Sequence, residues 1–355
     1  MATVAPIAAG RPVFTNDHEA FRESVTRFID SAVVPDLDGW RRNDGVPRSV
    51  FGEAGAHGFL GTAVPDRFGG GDAEDYGFLA LLIEETVAAG ATGLAVLWAL
   101  HAGVTIPFLL DHGDPETQQR FLPSLVTGAQ IGIPSPGVAV SGLPGGRLAD
   151  VLLVSVDEAV NILPTDLAGV RIGVVSGNLG APEAGIADVD VTAAPSTEWT
   201  AVPAKRSAIH RDVDLWLAVA ALANARKAIE LAVEYTGSRK VFGRPLAEFE
   251  NTQLRLAELA AELSAATSYV DLCVAARAQT RLTPADAAAA RQVTVGLSDR
   301  AVDQSLQLHG GYGYMREYPI AQAFADARFI RTVGRLYSDP RQAVAERLFE
   351  IHRAP

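Results

Sequence analysis

At 355 residues the chain exceeds the length at which a single hydrophobic core stops growing, which predicts two or three packed units with ample buried surface. Hydrophobic residues make up 48% of it and charged residues 20%, a balance that excludes a disordered chain and predicts a soluble globular fold. The net charge of -12 comes from an acidic surplus spread along the sequence, which argues against a nucleic-acid partner, since that needs a basic stripe.

The opening segment, Met1 to Pro12, has no basic flank ahead of an apolar run, so no secretion leader is expected. No window reads as long as a bilayer span, so no membrane span is expected either. From about Asn16 to Gln130 apolar residues recur at helical spacing, as in Ala20-Phe21-Val25-Phe28-Ile29 and Phe78-Leu81-Leu82. Breaks fall at Pro35, Pro47, Pro65, Gly69-Gly70-Gly71 and Pro107, and Asp114-Pro115-Glu116 is a helix start with Pro in the first turn. Residues 1–130 are therefore expected to form an α-helical domain.

Between 131 and 205 the period changes. Val151 to Val156, Ala159 to Leu163, Val170 to Ile172 and Ala187 to Val191 are short β-branched runs separated by Gly, Pro and Asp, the pattern of a small β domain. Its first part, Pro134 to Gly146, is rich in Gly, Pro and Ser and offers no strand longer than a few residues. From about Asp212 helical spacing returns, with one helix through Leu215, Leu222 and Val233 and a second through Leu254, Leu263 and Val274. A third is expected to start at Thr283, a hydroxyl cap with Pro284 at the first position. Residues 206–355 are thus expected to be a C-terminal helical bundle, and the order helix, sheet, helix predicts an α+β fold. Cys273 stands alone in a helix-like stretch, so no disulfide framework is possible; it reads as a core residue, and a reducing cytoplasm fits.

Two runs carry the chemistry. In Ser238-Arg239-Lys240-Val241-Phe242-Gly243-Arg244-Pro245, Gly243 and Pro245 break the preceding helix and leave Arg239 at its C-terminal turn, where a cation is favoured by the helix dipole. By itself that reads as a capping arginine. In Gln307-Leu308-His309-Gly310-Gly311-Tyr312-Gly313, the clustered glycines let backbone approach a bulky or charged group closely. By itself that reads as a helix cap with packed tyrosines, and His309 as a satisfied polar side chain.

Together the two runs resemble the acyl-CoA dehydrogenase family. Arg239, Phe242, Gly243 and Pro245 match its arginine, aromatic, Gly-x-Pro pattern, and Gln307 to Gly313 with Glu317-Tyr318-Pro319 match its glutamine-x-histidine-Gly-Gly-tyrosine-Gly run. Pro65 to Gly70 and Gln119 to Leu125 are similar to further family landmarks, so the resemblance covers most of the chain. It implies a helical N-terminal domain, a middle β domain and a four-helix C-terminal bundle. It also implies FAD as cofactor, an acyl-CoA substrate and an electron acceptor such as an electron-transfer flavoprotein. In such tetramers Arg239, Phe242, Gln307, Gly310 and Gly311 are expected to face the pyrophosphate and adenine of an FAD whose flavin lies in the neighbouring subunit. A guanidinium and open glycine backbone suit that role.

The departures are as informative. The family's flavin-holding loop and strand correspond here to Ile133-Pro134-Ser135-Pro136-Gly137-Val138-Ala139-Val140, which then passes to Gly146-Arg147, so a block is missing and the β domain reads as truncated. The family's catalytic glutamate, the base for the α proton, falls at Gly334, and the alternative family position falls at Val213, between Asp212 and Asp214. The leading expectation is a non-catalytic subunit of a heterotetramer whose related partner supplies the base and the flavin cradle. The heteromeric members lean toward steroid side-chain thioesters. The alternatives are a homomeric enzyme using Asp212 or Asp214 as base, and a binding protein of the same fold. For the two aspartates the plain structural reading is an N-cap and a first-turn charge.

Overall fold

The breaks at Pro35, Pro47, Pro65 and Gly69-Gly70-Gly71 fall between helices, whereas Pro107 sits in the first turn of one: α1 (Asn16–Ala32), α2 (Leu37–Arg42), α3 (Ser49–Ala56), α4 (Gly77–Ala88), α5 (Thr92–Leu100), α6 (Ile106–His112) and α7 (Pro115–Val126). This is a computed structural model that describes Arg11 and residues 13–350. The rest of the Met1 to Pro12 segment, and the end of the C-terminal segment past 350, lie outside the described residues. The start at Asp114 is realised, because the Thr117 N–H donates to Asp114 Oδ1 at 2.7 Å.

A π-helical turn, His101–Thr105, joins α5 to α6. Such turns disturb the backbone ladder, and here side chains repair it. Trp216 Nε1–H donates to the Gly103 carbonyl at 2.7 Å. Gly103 has no substitute, since a Cβ there sits 2.5 Å from the Trp216 ring. His101, fully buried, accepts the Gly132 N–H at Nδ1 and donates from Nε2 to the Leu125 carbonyl, both at 3.0 Å. Burial pushes its pKa down to about 4, so it stays neutral and ties three elements together.

The middle segment holds β1 (Gly132–Ser135), β2 (Ala139–Leu143), β3 (Val151–Val156), β4 (Ala159–Pro164), β5 (Arg171–Val174), β6 (Ala187–Asp190) and β7 (Thr200–Lys205). They form a four-stranded sheet, β1-β3-β4-β7, and a three-stranded sheet, β2-β6-β5. β3 pairs in parallel with β1 and antiparallel with β4, and it is apolar without alternation because both of its faces are covered. β5 is exposed at every residue.

Helices resume with α8 (Arg206–Ser238), then a hairpin of β8 (Lys240–Val241) and β9 (Arg244–Pro245), then α9 (Glu250–Ala278), α10 (Pro284–His309), α11 (Pro319–Tyr337) and α12 (Pro340–Glu350). α8 starts at Arg206, ahead of the expected Asp212; its polar first turns carry no apolar period, and the Arg206 N–H is taken by the Glu158 carbonyl. From Asp212 to Ala225 α8 is buried all round, the mark of a helix running through the core. Buried Asn224 donates to Ser298 Oγ and the Ala323 carbonyl, both at 3.1 Å, tying α8 to α10 and α11. Thr283 caps α10 as expected, accepting the Asp286 N–H at 3.2 Å, and Cys273 is buried. Helix, sheet and helix blocks follow in the α+β order expected.

One expectation is corrected. Among the described residues two helical stretches are long and apolar enough to cross a bilayer: Thr92–His112, with 94% of its most apolar window buried, and Glu250–Ala278, with 33% buried. The first was obscured by the Pro107 break, and its hydrophobicity is used up in the core. α9 keeps much of its apolar surface uncovered, including Leu254 and Leu272.

Candidate functional site

The two recognition runs meet. α8 stops at Ser238 because Arg239 turns extended, although its N–H still bonds the Tyr235 carbonyl at 2.8 Å. The chain then reverses through Phe242 (φ 51°) and Gly243 (φ 84°), two left-handed residues in succession, as a tight hairpin requires. α10 ends at His309 because Gly310 takes φ 59° and ψ -136°, a conformation that demands glycine.

Between these ends lies a cleft of about 420 Å³ lined by Arg239, Gly310 and Gly311 together with Tyr235, Val241, Leu246, Leu308, His309, Tyr312 and Met315. The Arg239 guanidinium lies 5.8 Å from the Tyr312 ring centroid and has no carboxylate partner among the described residues. A Cβ at Gly310 or Gly311 meets nothing within 4 Å, so both glycines present open backbone. Phe242, at the hairpin tip, is 94% exposed, and Gln307 is exposed on the last turn of α10; neither lines the cleft. His309 is structural, as expected: it stacks on Tyr235 at 4.1 Å, and its Nδ1 bonds the Ser305 carbonyl at 2.7 Å. Tyr235 and Tyr312 are the aromatic lining residues that sequence reasoning left unassigned, beside the apolar Val241, Leu246, Leu308 and Met315. The available signal was Tyr235, one helical turn before Arg239 on the same face.

The position assigned to the base is filled by another side chain. Arg291, 3% exposed, donates from Nη1 to the Gly334 carbonyl at 2.7 Å and from Nη2 to the Ser338 carbonyl at 2.8 Å. Its Nη1 also pairs with Asp214 Oδ1 at 2.9 Å. A Cβ built on Gly334 lies 2.5 Å from that same Nη1. Burial moves both partners toward neutrality, the Asp214 carboxyl up to about 6 and the guanidinium down, and mutual attraction offsets only part of this.

Val213 is wholly buried. Asp212 accepts from Arg277 Nε at 2.9 Å and from Arg211 Nε at 2.8 Å, while Arg277 also holds Asp111 at 2.7 Å. The N-cap reading of Asp212 and Asp214 is therefore corrected: with α8 beginning at Arg206, both lie past its first turn and are committed to buried arginines. Neither aspartate lines the cleft.

The expected flavin-holding segment is a short turn between β1 and β2, in which the Ser135 hydroxyl donates to the Gly137 carbonyl at 2.8 Å. Tyr337, buried at the end of α11, donates to the Pro134 carbonyl at 2.7 Å and pins this turn to the bundle.

Comparison with known proteins agrees with this architecture. Residues 15–129 match the family description "Acyl-CoA dehydrogenase, N-terminal domain" and residues 215–334 match "Acyl-CoA dehydrogenase, C-terminal domain". The chain is 28% identical over 362 residues to the mitochondrial long-chain specific acyl-CoA dehydrogenase of Sus scrofa, covering 90% of this chain and 83% of that protein. Among solved structures it is similar to an acyl-CoA dehydrogenase from Geobacillus kaustophilus, with TM-score 0.86 and 22% identity over 96% of this chain and 100% of the other. A glutaryl-CoA dehydrogenase from Mycobacterium smegmatis in complex with FADH2 gives TM-score 0.84 and 19% identity over 95% of each chain. The two family matches together span most of the sequence, and both helical blocks carry them: the chain belongs to the acyl-CoA dehydrogenase family.

Proposed function

We propose that this chain is the FAD-phosphate-binding subunit of a heteromeric acyl-CoA dehydrogenase, joined to a related subunit that carries the catalytic glutamate and the flavin cradle. The observation behind this reading is a contrast between two halves of one site. The dinucleotide half is open: Arg239, Gly310 and Gly311 line a cleft with an uncommitted guanidinium and bare backbone, which fits a pyrophosphate. The reacting half does not fit: no carboxylate stands at 334, and Arg291 takes up the space.

FAD, when bound, supplies the acceptor for the hydride leaving the thioester's β carbon. Within that division this chain's residues bind and orient. Arg239 neutralises phosphate, Gly310 and Gly311 offer N–H groups, and Phe242 and Gln307 reach outward toward the adenine end. The exposed Phe242 and the uncovered apolar face of α9 support an oligomer, since apolar groups so placed are normally covered. The substrate class is an acyl-CoA thioester, with steroid side-chain thioesters as the favoured members and an electron-transfer flavoprotein as the favoured acceptor. A reducing cytoplasm fits the lone, buried Cys273.

The test is co-expression with a base-bearing relative encoded beside it. The expected result is a stable complex in which flavin and dehydrogenation both depend on this chain. A partner that purifies alone as a fully flavin-loaded, fully active homotetramer overturns the proposal.

A further inference from the structure

Away from the cleft, a second group of charged side chains is buried where the two helical blocks and the β segment meet. The loop from Ala181 to Gly185 precedes β6 and touches all three. Its Glu183 is wholly buried, and Oε1 accepts the Gly93 N–H, in the first turn of α5, at 2.8 Å. Asp326 of α11, 2% exposed, accepts the Ala181 N–H at 2.8 Å and the Gln322 amide at 2.6 Å. Backbone bonds from the same loop run to Val46, Gly145 and Arg147. Ala181 (φ 46°) and Gly185 (φ 58°) are both left-handed, so the loop is held in a shape it does not favour alone.

The surrounding charges do not complete the arrangement. Among the described residues Glu183 Oε2 has no hydrogen-bond partner, and neither has Arg41 Nε of α2, 3.6 Å away. Lys227 of α8 faces Glu183, Asp326 and Arg41, but its Nζ is directed to the Val87 carbonyl at 3.3 Å; Glu230 lies beyond it on the same helix. From α5 only neutral groups are presented, the Gly93 N–H and the Thr92 hydroxyl. Glu183 and Asp326 thus bring two carboxyls into one buried cluster that lacks a matching donor for Glu183 Oε2. A proton on that oxygen relieves the repulsion between them and the cost of burying a second charge.

We propose that the buried Glu183 carboxyl takes up a proton on Oε2 and acts as a pH-sensitive clamp that locks the 181–185 loop, and with it the β2-β6-β5 sheet, onto the helical blocks. The loop leads straight into β6, which pairs with β2 just after the turn at Pro136 to Val138, so the clamp sets the position of that turn. Burial and then Asp326 push the Glu183 pKa up to about 7, and burial pushes Asp326 up as well. The sign follows directly. A carboxyl raised in the folded state lends stability that is complete below its unfolded pKa and lost as pH rises through the folded value, so the clamp is closed in mild acid and weakens above about pH 7.

The experiment is thermal unfolding of the full chain at pH 6 and pH 8.5, with amide hydrogen exchange followed over 180–185 and at Gly93. The wild type is expected to lose several degrees in melting temperature at the higher pH and to exchange faster in this loop, while Glu183→Gln, which carries its own proton, flattens both differences. Equal pH dependence in wild type and variant overturns the clamp. Should Glu183→Gln fail to fold, the infrared spectrum of the wild type decides. A buried protonated-carboxyl stretch present at pH 6 and lost by pH 8.5 supports the proposal, and its absence at pH 6 overturns it. Neither readout depends on flavin or a partner.

Discussion

Arg291 and Gly334 are locked face to face: the guanidinium donates to the glycine carbonyl at 2.7 Å from the space a side chain at 334 would take, 2.5 Å from a built Cβ. Glycine in a helix ordinarily costs about 1 kcal/mol relative to alanine. Here the order is expected to reverse, because overpacking a closed site costs about 1–3 kcal/mol. Gly334→Ala is predicted to lower stability in denaturant titration, and Gly334→Glu to lower it further without creating dehydrogenase activity. A Gly334→Glu chain that is as stable as the parent and turns over thioester on its own would show that Arg291 yields the space freely.

The partner of that guanidinium gives a second prediction. Asp214→Ala leaves Arg291 buried without a counter-charge, a loss of about 3–5 kcal/mol, whereas Asp214→Leu with Arg291→Met is expected to be close to neutral. The carboxyl is raised to about 6, so its contribution is complete below its unfolded pKa and lost as pH rises through about 6. Asp214→Asn should therefore flatten the pH profile of stability between about pH 4 and 6, and a profile unchanged by the substitution would remove the residue from the ledger of titrating groups.

How far the sequence announced these features depended on their range. The α8 core, the strand Val151 to Val156 and the Thr283 and Asp114 caps were legible because apolar period, β-branching and capping chemistry act within a few residues. The strands β1 and β7 were not, since each contains a proline and pairs only through a partner distant in sequence. The cleft was half legible: Arg239 and the glycines stand out, whereas Tyr235 and Tyr312 look like ordinary helix and turn residues. The pairing of Asp214 with Arg291 and of Glu183 with Asp326 joins α8 to α10 and a loop to α11, and nothing local marks it. Asp212 and Asp214 look like an N-cap and a first-turn charge because the six residues before Asp212 have no apolar period.

Arg239 is predicted to govern flavin retention and not folding. It is exposed and has no carboxylate partner among the described residues, so Arg239→Ala should change the chain's own stability by no more than about 0.5 kcal/mol. A charge-assisted bond to phosphate is worth about 1.5–3 kcal/mol, so flavin affinity of the assembled complex should fall by roughly tenfold or more. Arg239→Lys should recover only part, because an ammonium cannot reproduce the planar fork. Flavin absorbance per mole of complex after gel filtration measures this, and unchanged occupancy in Arg239→Ala would take the residue out of the phosphate site.

Phe242 separates assembly from folding. At 94% exposure it contributes no packing to its own chain, and at φ 51° it sits where a bulky aromatic is disfavoured and asparagine is not. Its retention at the hairpin tip therefore has to be explained by something outside the chain. Phe242→Asn is expected to leave the isolated chain as stable or slightly more so, while weakening association with a base-bearing relative by at least about tenfold, as loss of an aromatic anchor worth about 2 kcal/mol does. Sedimentation of the co-expressed pair across a dilution series reads this directly. A variant that assembles with undiminished affinity would mean that the ring faces solvent in the complex too, and that the hairpin is not part of the contact between subunits.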